Sequence, residues 1–171
     1  MLFPLGGATG WGGAVLQLVS HGFAKAALFL AAGNVLHSLG HDRITQLNGV
    51  GMQLPVTVFA FALAGVGIMS MPPSGGFLAK WLLLRAALES GQWWWAIVLL
   101  VGSLLAAGYM FRVLGYALLT PIEGSSNPVR PAPTLELVPL CLALISLVLG
   151  FVGMPYLALL EISSPFAGQQ P

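Results

Sequence analysis

Apolar residues run along this chain in long blocks separated by short polar connections. Residues 44–79, 90–111 and 137–160 hold no charged side chain, and residues 1–24 hold none except His21. Each block matches the roughly 20 mostly apolar residues that a membrane-spanning helix needs. The pattern predicts an all-α membrane protein in which residues 1–171 form one membrane domain with four transmembrane helices. They are expected at about 11–36, at 54–70 continued by 77–88, at 93–119 and at 134–160. A polar connection with His37, His41, Asp42, Arg43, Gln46 and Asn48 follows the first helix. Residues 120–133 are rich in Pro, Gly, Ser and Asn, the composition of a water-exposed loop, and the tail 163–171 is expected to be flexible.

The second span carries the main irregularity, Met71-Pro72-Pro73-Ser74-Gly75-Gly76. Pro72 and Pro73 each lack an amide donor and clash with the preceding turn, while Gly75 and Gly76 add freedom, so the helix must interrupt. Two architectures satisfy this. The break is a surface turn between two full spans, or an unwound segment inside one discontinuous span. The flanking pieces, 57–70 and 77–88, reach only roughly 21 and 18 Å at a rise of ~1.5 Å per residue. Each is short against a hydrocarbon core of about 30 Å. Irregular backbone at that depth is tolerated where protein buries it or where it lines a watery cavity. These lengths favour the discontinuous span. Leu54-Pro55 opens the span with proline in a helix's first turn, and Trp93, Trp94 and Trp95 fit an aromatic belt at a membrane boundary.

Composition agrees with the pattern and removes alternatives. Hydrophobic residues make up 57% of the 171 and charged residues 6%, against about 25% in soluble domains. A net charge of +1 leaves no basic cluster with which to bind nucleic acid. Cys141 is the one cysteine, so no internal disulfide or multi-cysteine metal site is available. The N-terminus lacks the basic segment and cleavage site of a signal peptide. With four spans, Arg43 and Arg130 share one side, joined by Arg112 if it reaches the end of its helix, and Arg85 lies opposite. The positive-inside rule then puts both ends on the non-cytoplasmic side of the cell (inner) membrane. Five spans would separate Arg43 from Arg130.

A few polar residues stand out against this background. His21 and Lys25 are four apart and share a face near the middle of the first helix, where ionisable groups are costly and usually face a bundle interior or hydrated cavity. The plainer reading has Lys25 reaching for the interface and His21 hydrogen-bonded in the core. Lys80 follows the break closely, where the positive end of a helix dipole opposes a cation and where discontinuous helices often handle ions. Its plainer reading is a lysine extended past Trp81 to the surface. His37 and His41, beside Asp42, form a solvated loop, a proton entry or exit path, or a metal site. Arg85 and Glu89, at i and i+4, are expected to make an ordinary surface pair, and Glu136 and Glu161 to mark the ends of the last helix. Gly102, Gly108 and Gly115 suggest a helix-packing face. No nucleophile–base arrangement, phosphate loop, flavin, quinone or iron–sulfur site is recognisable, and no cofactor or metal is expected.

Two runs carry a resemblance. His21-Gly-Phe-Ala-Lys25-Ala-Ala-Leu-Phe and Pro72-Pro73-Ser-Gly-Gly-Phe-Leu-Ala-Lys80, joined by Arg43-Ile-Thr-Gln-Leu-Asn-Gly49, resemble the proton-translocating, antiporter-like membrane subunits of respiratory complex I, Mrp-type sodium/proton antiporters and energy-converting hydrogenases. The likeness covers about residues 10–120, and the last helix matches only as a hydrophobic span. It implies that the second span is discontinuous and that Lys80 belongs to a terminal proton channel. It also implies that His21 and Lys25 belong to a central hydrated polar axis. Full-length members carry an earlier repeat, with a glutamate and a lysine, upstream of the stretch that Met1 begins, so the chain resembles their C-terminal portion.

The expected function is therefore proton translocation within a multisubunit membrane complex, with Lys80, Lys25 and His21 as relays and no redox chemistry of its own. Expected partners are the lipid bilayer and other membrane subunits, including one that supplies the missing N-terminal part. Protons are the expected cargo, with sodium exchanged under the antiporter reading. A structural or assembly subunit sealing a partner's channel is the alternative, and an unrelated small transporter acting as a homodimer is a third.

Overall fold

A computed structural model of the chain describes residue 5, residues 7–120 and residues 130–162. Among the described residues the chain is helical and without strands. Helix α1 spans Ala8–Leu39, a 3-10 turn covers Ile44–Gln46, and a short α2 covers Val50–Gln53. There follow α3 (Pro55–Met69), α4 (Gly75–Glu89), α5 (Trp94–Leu118) and α6 (Pro133–Ile162). The expected tail at 163–171 and most of the expected loop, 121–129, lie outside the described residues.

Among the described residues three helices are long and apolar enough to cross a membrane: Ala8–Leu39, Trp94–Leu118 and Pro133–Gly153. Helix α3 is apolar but shorter, at 15 residues. Local chemistry explains the boundaries. Helix α1 outruns its expected ends because Gly7, with φ of 90°, and the left-handed Gly40, whose N–H caps Leu36, are the first residues that suit a terminus. Pro55 occupies the first turn of α3, where its missing N–H costs nothing. The connection after α1 is more ordered than a solvated loop, since Leu47, Val50 and Leu54 are buried and the Gly49 N–H donates to the Leu119 carbonyl at 2.9 Å.

Helices α1 and α6 are the structural spine. They pack on each other, and both run along α3 and α4. Small residues permit the close approach: Ala24, Ala27, Ala31, Ala64 and Ala143 are fully buried at these crossings. The ends of α1, α3 and α5 enclose the largest apolar cluster, around Leu54, Val58, Phe61, Met69, Met110 and Val113. Helix α5 lies at the edge, with Val101, Leu104, Leu105 and Phe111 exposed. Gly102, Gly108 and Gly115 are open, with nothing within 4 Å of an added Cβ, so the packing face expected there meets no helix among the described residues. Glycines that do pack tightly include Gly13, Gly67, Gly75, Gly76 and Gly150.

Candidate functional site

The break between α3 and α4 positions the site. Helix α3 ends with Ser70 in the left-handed region, at φ 58° and ψ 48°. The Ser70 N–H donates to the Gly67 carbonyl at 3.2 Å and the Met71 N–H to the Val66 carbonyl at 3.0 Å, a Schellman closure with serine in the usual glycine place. Pro72 and Pro73 prevent the helix from continuing. Ser74, fully buried, starts the next helix: its Oγ accepts from the Phe77 N–H at 3.2 Å and donates to the Met71 carbonyl at 2.8 Å.

Gly75 and Gly76 therefore belong to the first turn of α4, and the irregular backbone is residues 70–74. Their lack of a side chain serves close packing more than unwinding. A Cβ on Gly76 would strike the Gly67 carbonyl, and one on Gly75 would stand 2.8 Å from Ser20 Oγ of α1. Across the break, a Cβ on Gly150 of α6 would strike the Pro73 carbonyl. Met71, Pro72 and Pro73 are exposed, whereas Ser74, Gly75 and Gly76 are buried.

Lys80 lies six residues into α4 and is half-buried. Its Nζ donates to Ser103 Oγ of α5 at 2.6 Å, and Ser103 Oγ donates to the Leu99 carbonyl at 3.1 Å. Both side chains line a cavity of about 190 Å³ with Ser70, Phe77, Trp81 and Leu100. The Ser70 hydroxyl in that wall is buried and, among the described residues, has no hydrogen-bond partner.

His21 and Lys25 sit one turn apart on α1, at its rim. His21 is half-buried and its buried Nδ1 has no partner among the described residues; Lys25 is exposed on this chain. One turn before them, Gln17 Oε1 is likewise buried and unpartnered. His21 lies within electrostatic range of both Lys25 and Lys80, which ties the two helices into one charged neighbourhood. Ser20 faces inward instead. Its Oγ is 3.3 Å from Ser146 Oγ of α6, and Ser146 Oγ also donates to the Ser20 carbonyl at 3.1 Å.

At the other end of α1, His37 and Asp42 are exposed, and His41 is half-buried with a buried Nδ1 lacking a partner among the described residues. His41 and Asp42 border an apolar pocket of about 130 Å³. Among the described residues no three His, Cys, Asp or Glu side chains group together as metal ligands. Beneath this surface Thr57 Oγ1 donates to Glu136 Oε1 at 2.9 Å, and Asn34 Nδ2 donates to the Leu135 carbonyl at 2.6 Å. Glu136 thus joins α3 to α6 as well as marking a helix end. Arg85 and Glu89 form the expected exposed pair at 2.6 Å.

Sequence reasoning passed over Ser103, Ser146 and the Thr57–Glu136 contact. The signal was weak but present: Ser103 and Ser146 are solitary hydroxyls in otherwise apolar stretches of α5 and α6.

Comparison with known proteins addresses the whole arrangement. The family described as NADH:quinone oxidoreductase/Mrp antiporter, transmembrane, matches residues 1–106. NADH-quinone oxidoreductase subunit N of Desulforudis audaxviator is 38% identical over 122 residues, covering 71% of this chain and 24% of that protein. A chain of the Mrp complex from a Dietzia species superposes with a TM-score of 0.80 at 26% identity, covering 90% of this chain and 37% of that one. A chain of Thermus thermophilus respiratory complex I gives a TM-score of 0.69 at 24% identity, over 88% and 35% of the two chains, a likeness of fold. The chain thus spans about a quarter of the length of the curated relative.

Proposed function

Because the chain belongs to the NADH:quinone oxidoreductase/Mrp antiporter membrane family, we propose that it translocates protons inside a multisubunit membrane complex, with Lys80 as the central relay. The observation that carries this reading is the setting of Lys80: an amine beside a helix break, half-buried, held by one neutral hydroxyl and facing a cavity. A carboxylate partner would fix the ammonium charge, because an opposite charge close by favours the charged form. A serine leaves the amine able to gain and lose its proton.

His21 and Lys25 extend the path along α1, within electrostatic range of one another and, through His21, of Lys80. His37, His41 and Asp42 provide a polar opening at the end of α1. Helices α3 and α4 act together as one discontinuous span. At about 1.5 Å per residue each 15-residue helix is shorter than the bilayer core, and the two uninterrupted helices α1 and α6 flank both pieces. This gives four spans, both ends on the non-cytoplasmic face.

The Gln17, His21 and Lys25 rim of α1 is the face toward the rest of the complex. A cation turned to hydrocarbon near a helix centre costs roughly 2.5–3.5 kcal/mol, so this edge is met by a polar helix of another membrane subunit, the counterpart of the family's earlier repeat. The driving force comes from that complex, as redox chemistry elsewhere or as exchange against a cation such as sodium.

Lys80→Ala, introduced in the assembled complex, tests the proposal. Proton translocation into vesicles, normalised to the amount of complex, should be lost while assembly persists. An unchanged rate per complex, with complex abundance lowered when Lys25 and Lys80 are replaced together, would instead establish a structural, channel-sealing role.

A further inference from the structure

We infer that Ser103 is the positioning residue that holds the Lys80 amine in both of its protonation states. The inference rests on the assignment of Lys80 as a relay and adds a residue on a helix for which that assignment gave no role. Helix α5 contributes almost nothing but apolar side chains to the fold, yet Ser103 turns its hydroxyl to Lys80 Nζ at 2.6 Å.

The hydroxyl is the chemically suitable group for the task. It has one donor proton and lone pairs to accept with, and the proton rotates freely about the C–O bond. With Lys80 charged, Nζ donates to Ser103 Oγ, and the hydroxyl proton is directed to the Leu99 carbonyl, 3.1 Å away. When Nζ gives one proton to a water molecule, it keeps two protons and gains a lone pair. The Ser103 hydroxyl can then turn from the Leu99 carbonyl and donate to that lone pair. One N–H bond breaks and one O–H bond forms as the water becomes hydronium, no bond between heavy atoms changes, and the proton leaves on that water. The carbonyl gives the hydroxyl a second acceptor, so neither state leaves it unpaired.

The surroundings supply the place for that water. Lys80, Ser103 and Ser70 share one cavity of about 190 Å³, well above the roughly 10–15 Å³ of probe-occupied volume that one water needs. The Ser70 hydroxyl in its wall is buried with no partner among the described residues. The left-handed turn that ends α3 holds it at the mouth of the break. A water bridging Ser70 and Lys80 would satisfy both, with Ser103 fixing the amine from the opposite helix.

Two substitutions of nearly equal shape separate chemistry from packing. Ser103→Thr keeps the hydroxyl, and Ser103→Val replaces it with a methyl group. Proton translocation is measured in vesicles containing the complete complex, per unit of complex, with Lys80→Ala alongside. Ser103→Thr should translocate within about twofold of the unmodified complex. Ser103→Val should fall about tenfold, the rate equivalent of one hydrogen bond to a charged group. A Ser103→Val rate equal to that of the unmodified complex, or equal losses in the Thr and Val forms, would overturn the inference and leave Lys80 in place, provided Lys80→Ala is inactive. An active Lys80→Ala complex would overturn the relay assignment, and Ser103 with it.

Discussion

Hydrogen bonds to charged groups are where single side chains matter in this chain, and depth decides how much. Arg85 and Glu89 meet at 2.6 Å but lie in the open, 64% and 52% exposed. Exposed pairs contribute about 0–1 kcal/mol, so Arg85→Ala should leave the melting temperature of the complex and its translocation rate unchanged. The Thr57–Glu136 contact differs, because Thr57 is fully buried and Glu136 half-buried. Thr57→Val would keep the shape and take away a donor to a carboxylate, at a cost of roughly 1.5–3 kcal/mol. A lowered thermal midpoint, with the rate per folded complex intact, is the expected result. Glu136 was legible in the sequence as a helix-end acid; its partner 79 positions away was not, because that pairing exists only once α3 and α6 meet.

At the level of elements, the break between α3 and α4 depends on the helices around it. Pro72 and Pro73 dictate that the helix stops, and that much follows from backbone chemistry. Where it resumes was misjudged by two residues from sequence, since Ser74 caps α4 and draws Gly75 and Gly76 into its first turn. Their real constraint comes from Gly67 and Ser20, distant in sequence. Helix α6 is the wall behind the break. Gly150→Ala would drive a methyl group into the Pro73 carbonyl, an overpacking that typically costs 1–3 kcal/mol. It should lower both complex abundance and the rate per complex, because the displaced segment leads directly into Lys80. Gly102→Ala is the matched control. It sits on the open face of α5 and should be neutral or slightly stabilising, since alanine has the higher helix propensity. Equal behaviour of the two variants would separate α6 from the site.

Across the described residues the exterior is mostly apolar, with few exposed charges to interrupt it. The outer face of α5 shows Leu104 and Leu105, 74% and 70% exposed, as lipid-facing helices do. On α1 exposed Lys25 stands beside exposed Leu18 and Phe29, with half-buried His21 and Gln17 next to it. A cysteine placed at Ala26, next to Lys25 on the exposed face of α1 and in a Cys141→Ser background, should be joined to a neighbouring subunit by a thiol-to-amine cross-linker in the intact complex, visible as a shifted band. Labelling by a lipid-phase reagent without cross-linking would mean that hydrocarbon covers this edge. The all-helical membrane class and the stop of the helix at the prolines were present in the sequence. Low charge density makes each buried ion conspicuous, and backbone chemistry is local. What required the tertiary structure was which groups meet: Ser103 with Lys80, Ser146 with Ser20, and Gly150 with the break. Apolar helices have no strong periodic asymmetry to show which face turns inward, so a lone serine on one of them acquires meaning only from the helix packed against it.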